Sequence, residues 1–441
     1  MIAAQSFRFR PGLPMNRDQA SAAASAGPAA SAGAAVRFVG EPRAYWRLLV
    51  RGAVLLALTL GIYRFWFATD LRRFLWSNTE IAGNTLEYSG TALELVIGFL
   101  IAIALLVPVY VGFFVLALNL GPAGQFVSVL GFPVLAFLGH FAVYRARRYR
   151  LSRTIYRGLR CHQTGSAWRY AVCALFWWTL ILLTFGLAYP FAQARLERYK
   201  MRHTYYGDLG GRFEGSGLRL FLRGLPMWFM VVGPLLVAVA VAVSIDWGAV
   251  IAAGRQAESA ADFAARLEGA SSFFALMVIA IAAVGASLVA AALLFPVFQA
   301  MVLRWWISGI RFGGLSLRSR LRTGQVYAAY LRFLWYGLLL LLALAALGVV
   351  TFLGFGLVSG ATGQSELTEI MGAAAAVGLY VAAMLGFSTL YQGTVKLALW
   401  RCGMESAEIE GAAVLAHVRA AGTSSSAVGE GLADALNVGG I

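Results

Sequence analysis

Hydrophobic residues lie in long runs along the chain, and polar segments rich in arginine separate the runs. Each run reaches the roughly 20 residues that a helix needs to cross the hydrocarbon core of a membrane. Eight such runs can be read, at about 48–67, 93–118, 126–144, 169–191, 222–245, 272–298, 330–358 and 370–395. The pattern predicts an all-α polytopic membrane protein with six to eight transmembrane or re-entrant helical segments.

The charges between the runs predict which connections face the cytoplasm. Segment 144–160 holds seven arginines and no acid, and segments 195–223 and 304–322 are also basic. The positive-inside rule places such segments in the cytoplasm. Segment 246–271, with four acids and two arginines, is expected outside. We therefore expect a multi-pass bacterial inner-membrane protein with both termini in the cytoplasm.

Two of the runs, 48–67 and 169–191, have basic segments at both ends, and a straight crossing would separate those ends. Each run also contains a similar helix-breaking sequence, LTLGIY in the first and LTFGLAYP in the second. Glycine and proline weaken a helix at such points. We expect both runs to dip into the membrane and return, with eight plain crossings as the alternative. The predicted breakers are Gly61, Gly186 and Pro190.

The sequence repeats itself without a gap at a shift of 125 residues. Arg73-Phe74 falls on Arg198-Tyr199, for example, and Gly61 falls on Gly186. The shared motif is an arginine, an aromatic residue, four residues, a threonine and a glycine about ten residues later. A further copy spans 148–165, and degenerate copies lie near 304–324 and 398–411. Copies such as TYYGDLGGRFEG have two short extended pieces around a turn, which predicts small cytoplasmic β-hairpins.

These repeats suggest a division of the chain into five parts. They are a disordered Ala/Ser-rich N-terminal tail (1–37), a first membrane repeat (38–147), a second (148–303), a degenerate third (304–400) and a cytoplasmic C-terminal tail (401–441).

The repeated segment also resembles a known family. The run TLGIYRFWFATDLRRFLWSNTEIAGNTLEYSG resembles the repeated signature of the YjgN-like family, which are bacterial inner-membrane proteins built around a domain of unknown function. The ending GEGLADALNVGGI resembles the family's ending, so the resemblance runs from about Phe38 to the end. It implies a location and an architecture but no reaction and no catalytic residue. The sequence RLERY departs from the family's usual basic run through its central acid, Glu197.

Composition narrows the class of function. The chain is 60% hydrophobic and 13% charged, with a formal net charge of +16. In a membrane protein an excess of positive charge is explained by arginines that face anionic lipid, so a nucleic-acid partner is not expected. The three cysteines and four histidines lack the spacing of metal ligands, and we expect no cofactor. Cys161 and His162 are adjacent, so in a strand they would point to opposite faces and form no catalytic pair.

The basic aromatic motif is the candidate interface with lipid headgroups, unless its arginines serve only to set the topology. The expected interface residues are Arg148, Tyr149, Arg153, Arg198, Tyr199, Arg202, Arg318 and Arg320. Our leading hypothesis is a non-enzymatic transport or lipid-handling component of the cell envelope. The alternative is a structural scaffold that recruits a cytoplasmic partner through the hairpins. A histidine inside a run, His140, is expected to be hydrogen-bonded within the bundle rather than to relay protons.

Overall fold

The computed structural model describes residues 34–120, 124–267, 270–362 and 365–421. Helices dominate this part of the chain, and a π-helical turn (Gln392–Lys396) and a 3₁₀ turn (Ala412–Ala416) accompany them near its end. The α-helices are α1 (Pro42–Leu58), α2 (Arg64–Ser77), α3 (Ala92–Asn119), α4 (Gly124–Ser152), α5 (Ala167–Leu183), α6 (Tyr189–Arg202), α7 (Gly217–Ser244), α8 (Trp247–Gln256), α9 (Ala260–Arg266), α10 (Ala270–Gly309), α11 (Thr323–Thr362), α12 (Ser365–Tyr391) and α13 (Leu397–Glu405).

The all-α prediction is wrong, because ten strands join into one closed antiparallel barrel. An isolated hairpin leaves two strand edges with unpaired backbone groups, and pairing each hairpin with the next removes those edges. The strands are β1 (Ala34–Phe38), β2 (Thr79–Ile81), β3 (Asn84–Tyr88), β4 (Thr154–Tyr156), β5 (Leu159–Gln163), β6 (Thr204–Tyr206), β7 (Leu209–Phe213), β8 (Ile310–Phe312), β9 (Leu315–Ser319) and β10 (Ala407–Glu410).

The barrel consists of five strand pairs that meet in one register. Four pairs are local hairpins, and the fifth is formed by β10 and β1, which lie near opposite ends of the described chain. At each seam, the last residue of one pair faces the first residue of the next. These seams are Phe38↔Thr79, Tyr88↔Thr154, Gln163↔Thr204, Phe213↔Ile310 and Ser319↔Ala407.

Side chains fill the inside of the barrel. Alternate residues of each strand point inward, and Tyr156, Tyr206 and Phe213 are each less than 10% exposed. The Tyr206 hydroxyl donates to the Tyr156 carbonyl (3.1 Å), and the Tyr156 hydroxyl donates to the Ile81 carbonyl (2.8 Å). Each tyrosine thus satisfies its hydroxyl on the strand beyond its neighbour, β6 on β4 and β4 on β2, while the rings form the core.

The segment after β10 crosses the end of the barrel where the hairpin turns lie. The Asp208 amide donates to the Arg419 carbonyl (3.1 Å), and the Arg419 amide donates to the Asp208 carboxylate (3.0 Å). Ala412 and Leu415 pack against a cluster of buried barrel residues that includes Val36. This end of the barrel is therefore covered by the chain itself.

The α-helical excursions of the described chain begin and end at the opposite end of the barrel. Each hairpin follows the last residue of one helix and leads into the first turn of another, so every helical excursion starts and finishes at the barrel. Three excursions are long, namely α3–α4, α7–α10 and α11–α13. Two are short, namely α1–α2 and α5–α6.

Five helical segments in the described chain are long and apolar enough to cross a membrane. They are Ala92–Asn119, Gly217–Ser244, Ser272–Gly309, Thr323–Leu357 and Thr368–Glu405. Most of their apolar side chains are exposed in the isolated chain, as expected where lipid is the solvent. These five helices support the expectation of a membrane protein.

The two short excursions turn back at loops that have the same backbone conformation. Helices α1 and α5 have 17 residues each, or about 26 Å, which is less than the roughly 30 Å of hydrocarbon. At the turns, Leu60 and Phe185 have φ of 50° and 49°, and the following Gly61 and Gly186 have 91° and 92°. The turns 125 residues apart are therefore the same, and both pairs return to the barrel.

Candidate functional site

Arginines of the repeated motif hold the hairpins to the helices. Arg73 donates to the Gly90 carbonyl (3.0 Å), Arg148 to the Gly165 carbonyl and Arg198 to the Gly215 carbonyl (3.1 Å). Donor and acceptor are 17 residues apart in every case. The motif arginine thus joins the end of a helix to the point where the chain leaves the barrel.

Most of the other expected headgroup residues also have partners inside the protein. Tyr149 is fully buried, and its hydroxyl lies 2.5 Å from a Glu94 carboxylate oxygen, while Arg153 pairs with the other oxygen at 2.9 Å. The Tyr199 hydroxyl donates to the Ser166 carbonyl (2.9 Å). Arg320 pairs with Glu408 at 2.9 Å. Arg202 and Arg318 are exposed.

These eight residues do not form one site. The structure brings Arg148, Tyr149 and Arg153 together at the end of α4, and Arg198, Tyr199 and Arg202 together at the end of α6. Arg318 lies in β9, and Arg320 follows that strand. The role of the exposed members at a lipid surface stays a prediction.

The sequence did not lead us to a buried polar cluster at the end of the barrel where the helices attach. Arg147 donates to the Gln163 side chain and to the Thr204 hydroxyl, each at 2.9 Å. Nearby, Glu197 accepts from the Trp306 indole (3.1 Å) and pairs with Lys200. Because Glu197 is only 8% exposed, its charge needs these donors. Glu197 departs from the basic run of the family that the sequence resembles, and this departure was the signal in the sequence that could have indicated the cluster.

Cys161 and His162 lie on opposite faces of β5. Cys161 is opposite Tyr206, inside the barrel, and burial raises the pKa of its thiol to about 11. His162 is opposite Tyr205 on the outer face and stacks on it with ring centroids 5.1 Å apart. A thiol that is protonated at neutral pH and faces away from the imidazole is not an activated nucleophile. The described residues contain no group of three or more His, Cys, Asp or Glu that could hold a metal.

An apolar groove lies beside the turn of the short pair α5–α6. It has a cavity volume of about 350 Å³ and is bounded by this pair together with α7 and α10. The Trp228 indole donates to the Phe185 carbonyl (2.7 Å), which fastens the turn to α7. The lining includes Leu187, Pro190, Phe221, Trp228, Leu294 and Phe298. Gly186 and Pro190, predicted as helix breakers, therefore lie in the wall of this groove.

The groove is open to the surroundings of the membrane helices. Phe295 lines it and is 51% exposed, and Phe191, next to Pro190 in α6, is 37% exposed. Aromatic and aliphatic side chains continue from the groove onto the outer surface of α7, where Phe229 and Met230 are exposed. The arrangement offers apolar contacts to a flexible apolar group and few polar ones.

Comparison with known proteins gives a family and no function. A family model described as a bacterial protein of unknown function (DUF898) matches residues 34–435. This is the YjgN-like family, so the resemblance seen in the sequence is confirmed. Searches of curated proteins and of solved structures found no match.

Proposed function

The chain belongs to this bacterial family of unknown function, and we propose that it is a non-enzymatic inner-membrane protein that binds and handles phospholipid. The barrel, including β1 and β10, lies on the cytoplasmic side in this proposal. The positive-inside rule supports that orientation, because the arginine-rich segments 144–160 and 304–322 lie at the barrel. The short pairs α1–α2 and α5–α6 then dip into the membrane from that side.

The observation that carries the proposal is the apolar groove beside α5–α6. Its occupant in our proposal is the acyl chain of a phospholipid from the surrounding membrane. The groove lies among helices whose outer surfaces are apolar, and its walls continue onto those surfaces. Methylene groups gain about 0.8 kcal/mol each when they leave water, but they gain little on moving from lipid into such a groove. An acyl chain therefore enters and leaves easily, as lipid handling requires.

Photo-crosslinking in proteoliposomes tests this proposal. A phospholipid with a photoreactive group in its acyl chain is reconstituted with the protein, and the labelled peptides are identified by mass spectrometry. We expect peptides of α6, α7 and α10 to be labelled above the level of other exposed helices. Ala291→Phe, which places a ring in the groove, should lower that labelling several-fold.

The matched control is Ala282→Phe, an exposed position on the same helix outside the groove. It should leave the labelling unchanged. Equal labelling of the wild type and Ala291→Phe would contradict the proposal, as would uniform labelling of every exposed helix.

A further inference from the structure

A second groove lies between the two helices of the other short pair, α1–α2, and it is charged. Its cavity volume is about 300 Å³, and its lining includes Arg47, Arg51, Tyr63, Phe67 and Asp70. Arg47 and Arg51 are four residues apart, so their side chains lie on one face of α1. Asp70 comes from α2 on the other side. One groove thus combines two positive groups and one negative group.

These three charged groups have no partner within the described chain. Neither arginine lies within 4.0 Å of Asp70, and none of the three side chains makes a hydrogen bond or ion pair with another described residue. Both arginines are exposed, and Asp70 is partly buried. Charged groups that are left apart in one groove are free to bind a ligand that carries both signs of charge.

The charges are not needed to fold a short helix pair. At a shift of 125 residues, Arg47 and Arg51 fall on Val172 and Phe176, and Asp70 falls on Arg195. The pair α5–α6 nevertheless has the same turn, with the same φ values. The charged groove is therefore a property of the first pair alone.

The depth of the groove matches a lipid headgroup. At 1.5 Å per residue, Arg47 and Arg51 lie about 8 and 14 Å from the start of α1, which is the end at the barrel. The most exposed side chains at the tip are apolar, with Leu58 75% and Leu60 94% exposed, while Arg64 at the start of α2 is partly buried over the rings of Phe65 and Phe99. When the tip is in hydrocarbon, the charged groups lie towards the polar layer of the same leaflet.

We propose that the groove between α1 and α2 binds a zwitterionic phospholipid headgroup, a phosphodiester that carries a primary ammonium group as in an ethanolamine phospholipid. The two guanidinium groups bind the phosphate, because their planar N–H donors match its oxygens. Asp70 accepts hydrogen bonds from the ammonium group, and its negative charge disfavours headgroups that lack a cation. This inference rests on the membrane location in the proposed function but not on the acyl-chain groove.

Lipid titrations of the purified full chain in detergent test the inference. The probes are dioctanoyl phosphatidylethanolamine, dioctanoyl phosphatidylglycerol and inorganic phosphate, and native mass spectrometry measures the bound fraction. We expect the ethanolamine lipid to bind about tenfold more tightly than the glycerol lipid. The double variant Arg47→Gln/Arg51→Gln should weaken binding of both lipids at least tenfold.

A second variant, Asp70→Asn, tests the selectivity by itself. It should remove the preference for the ethanolamine lipid and leave binding of the glycerol lipid equal to or stronger than in the wild type. The control Arg212→Gln removes an exposed arginine of the barrel outside the groove and should change neither affinity. Lipid affinities are compared among variants whose Tm equals that of the wild type.

Three outcomes would overturn the inference. They are equal binding of the two lipids by the wild type, a preference that survives Asp70→Asn, and competition by inorganic phosphate as strong as by the ethanolamine lipid. The last outcome would identify a site for free phosphate. Failure here leaves the acyl-chain crosslinking at Ala291 unaffected, so the two proposals fail separately.

Discussion

At the scale of single residues, the repeated arginine is a structural tie. In three copies of the motif its guanidinium reaches a glycine carbonyl 17 residues later. The repeated arginine and glycine can be recognised in the sequence, but their contact cannot. A positive charge at a membrane surface is already explained by its role in setting the topology. The contact depends on the hairpin folding back to the end of its own helix.

Replacing Arg148 by alanine tests this tie. The change removes a charge-assisted hydrogen bond to the half-buried Gly165 carbonyl, which costs about 2 kcal/mol. We expect the apparent Tm in detergent to fall by several degrees while lipid binding is retained.

Arg212→Ala is the matched control, because Arg212 is exposed on the barrel and has no partner in the described chain. Its Tm should stay within a degree of the wild type. If Arg148→Ala instead lost affinity for anionic lipid at an unchanged Tm, the predicted headgroup role of Arg148 would be the better account.

The thiol of Cys161 gives a second prediction at this scale. Its pKa of about 11 leaves roughly one thiolate per thousand molecules at pH 8, and the thiolate is the form that reacts with maleimides. With Cys173 and Cys402 changed to serine, we expect alkylation at pH 8 to be at least tenfold slower in the folded protein than after denaturation. The rate in the folded protein should rise with pH up to about 11.

The comparison for Cys161 is a cysteine-free chain with Glu87→Cys. Glu87 occupies the outward position in β3 that His162 occupies in β5, and it is exposed. This thiol should react at nearly the same rate in the folded and the unfolded protein. Fast labelling of Cys161 in the folded barrel would mean that its interior is open to solvent.

At the scale of elements, the short helix pairs were readable from the sequence and the barrel was not. The LTLG and LTFG sequences are local signals, and their glycines adopt the positive φ that the turns require. Hairpin turns were also local signals. The seams between strand pairs join residues as distant as Phe213 and Ile310 or Ser319 and Ala407, and no turn sequence indicates β1 or β10. The closure of the barrel could therefore not be predicted from the sequence, although the hairpins could.

Gly186→Ala tests the turn of α5–α6. At φ of 92° an added Cβ strains the backbone by about 1–3 kcal/mol, although the nearest atom, in Trp228, would be 3.8 Å away. We expect a lower Tm and weaker acyl-chain labelling of the adjacent groove. Thermal unfolding and crosslinking are the measurements.

Gly233→Ala in α7 is the control for that substitution. Its Cβ would meet nothing within 4 Å, and its φ is helical, so alanine should be neutral or slightly stabilising. A Tm for Gly186→Ala as high as for Gly233→Ala would argue against a fixed turn at Gly186.

At the scale of the whole molecule, the barrel determines the topology. Each of the four hairpins is entered and left at the end where the helices attach, and β1 and β10 meet their helices at that same end. Each excursion of the chain therefore has to return to the side from which it left. A polar barrel wall with exposed groups such as Glu87 and Arg212 belongs in water. The five long apolar helices and the two short pairs all lie between such departures and returns.

Single cysteines in a cysteine-free chain test that arrangement with a membrane-impermeant maleimide. We expect Glu87→Cys and Arg212→Cys to be labelled only after the inner membrane is opened. Glu258→Cys, in the connection between α8 and α9, should be labelled in cells whose outer membrane alone is permeable. Eight straight crossings would instead place residues 87 and 212 on opposite sides, so labelling of one of them in intact cells would contradict the re-entrant arrangement.

The pairing of β1 with β10 has a consequence for biosynthesis. The first strand of the barrel leaves the ribosome more than 360 residues before its last partner does. Until then the sheet has two open edges, and an open edge can recruit a strand from another chain. A nascent chain that stops before Ala407 has no means to close its own sheet. The cell therefore has to protect a half-built barrel throughout the insertion of the membrane helices, and the first correct closure waits until β10 has been made.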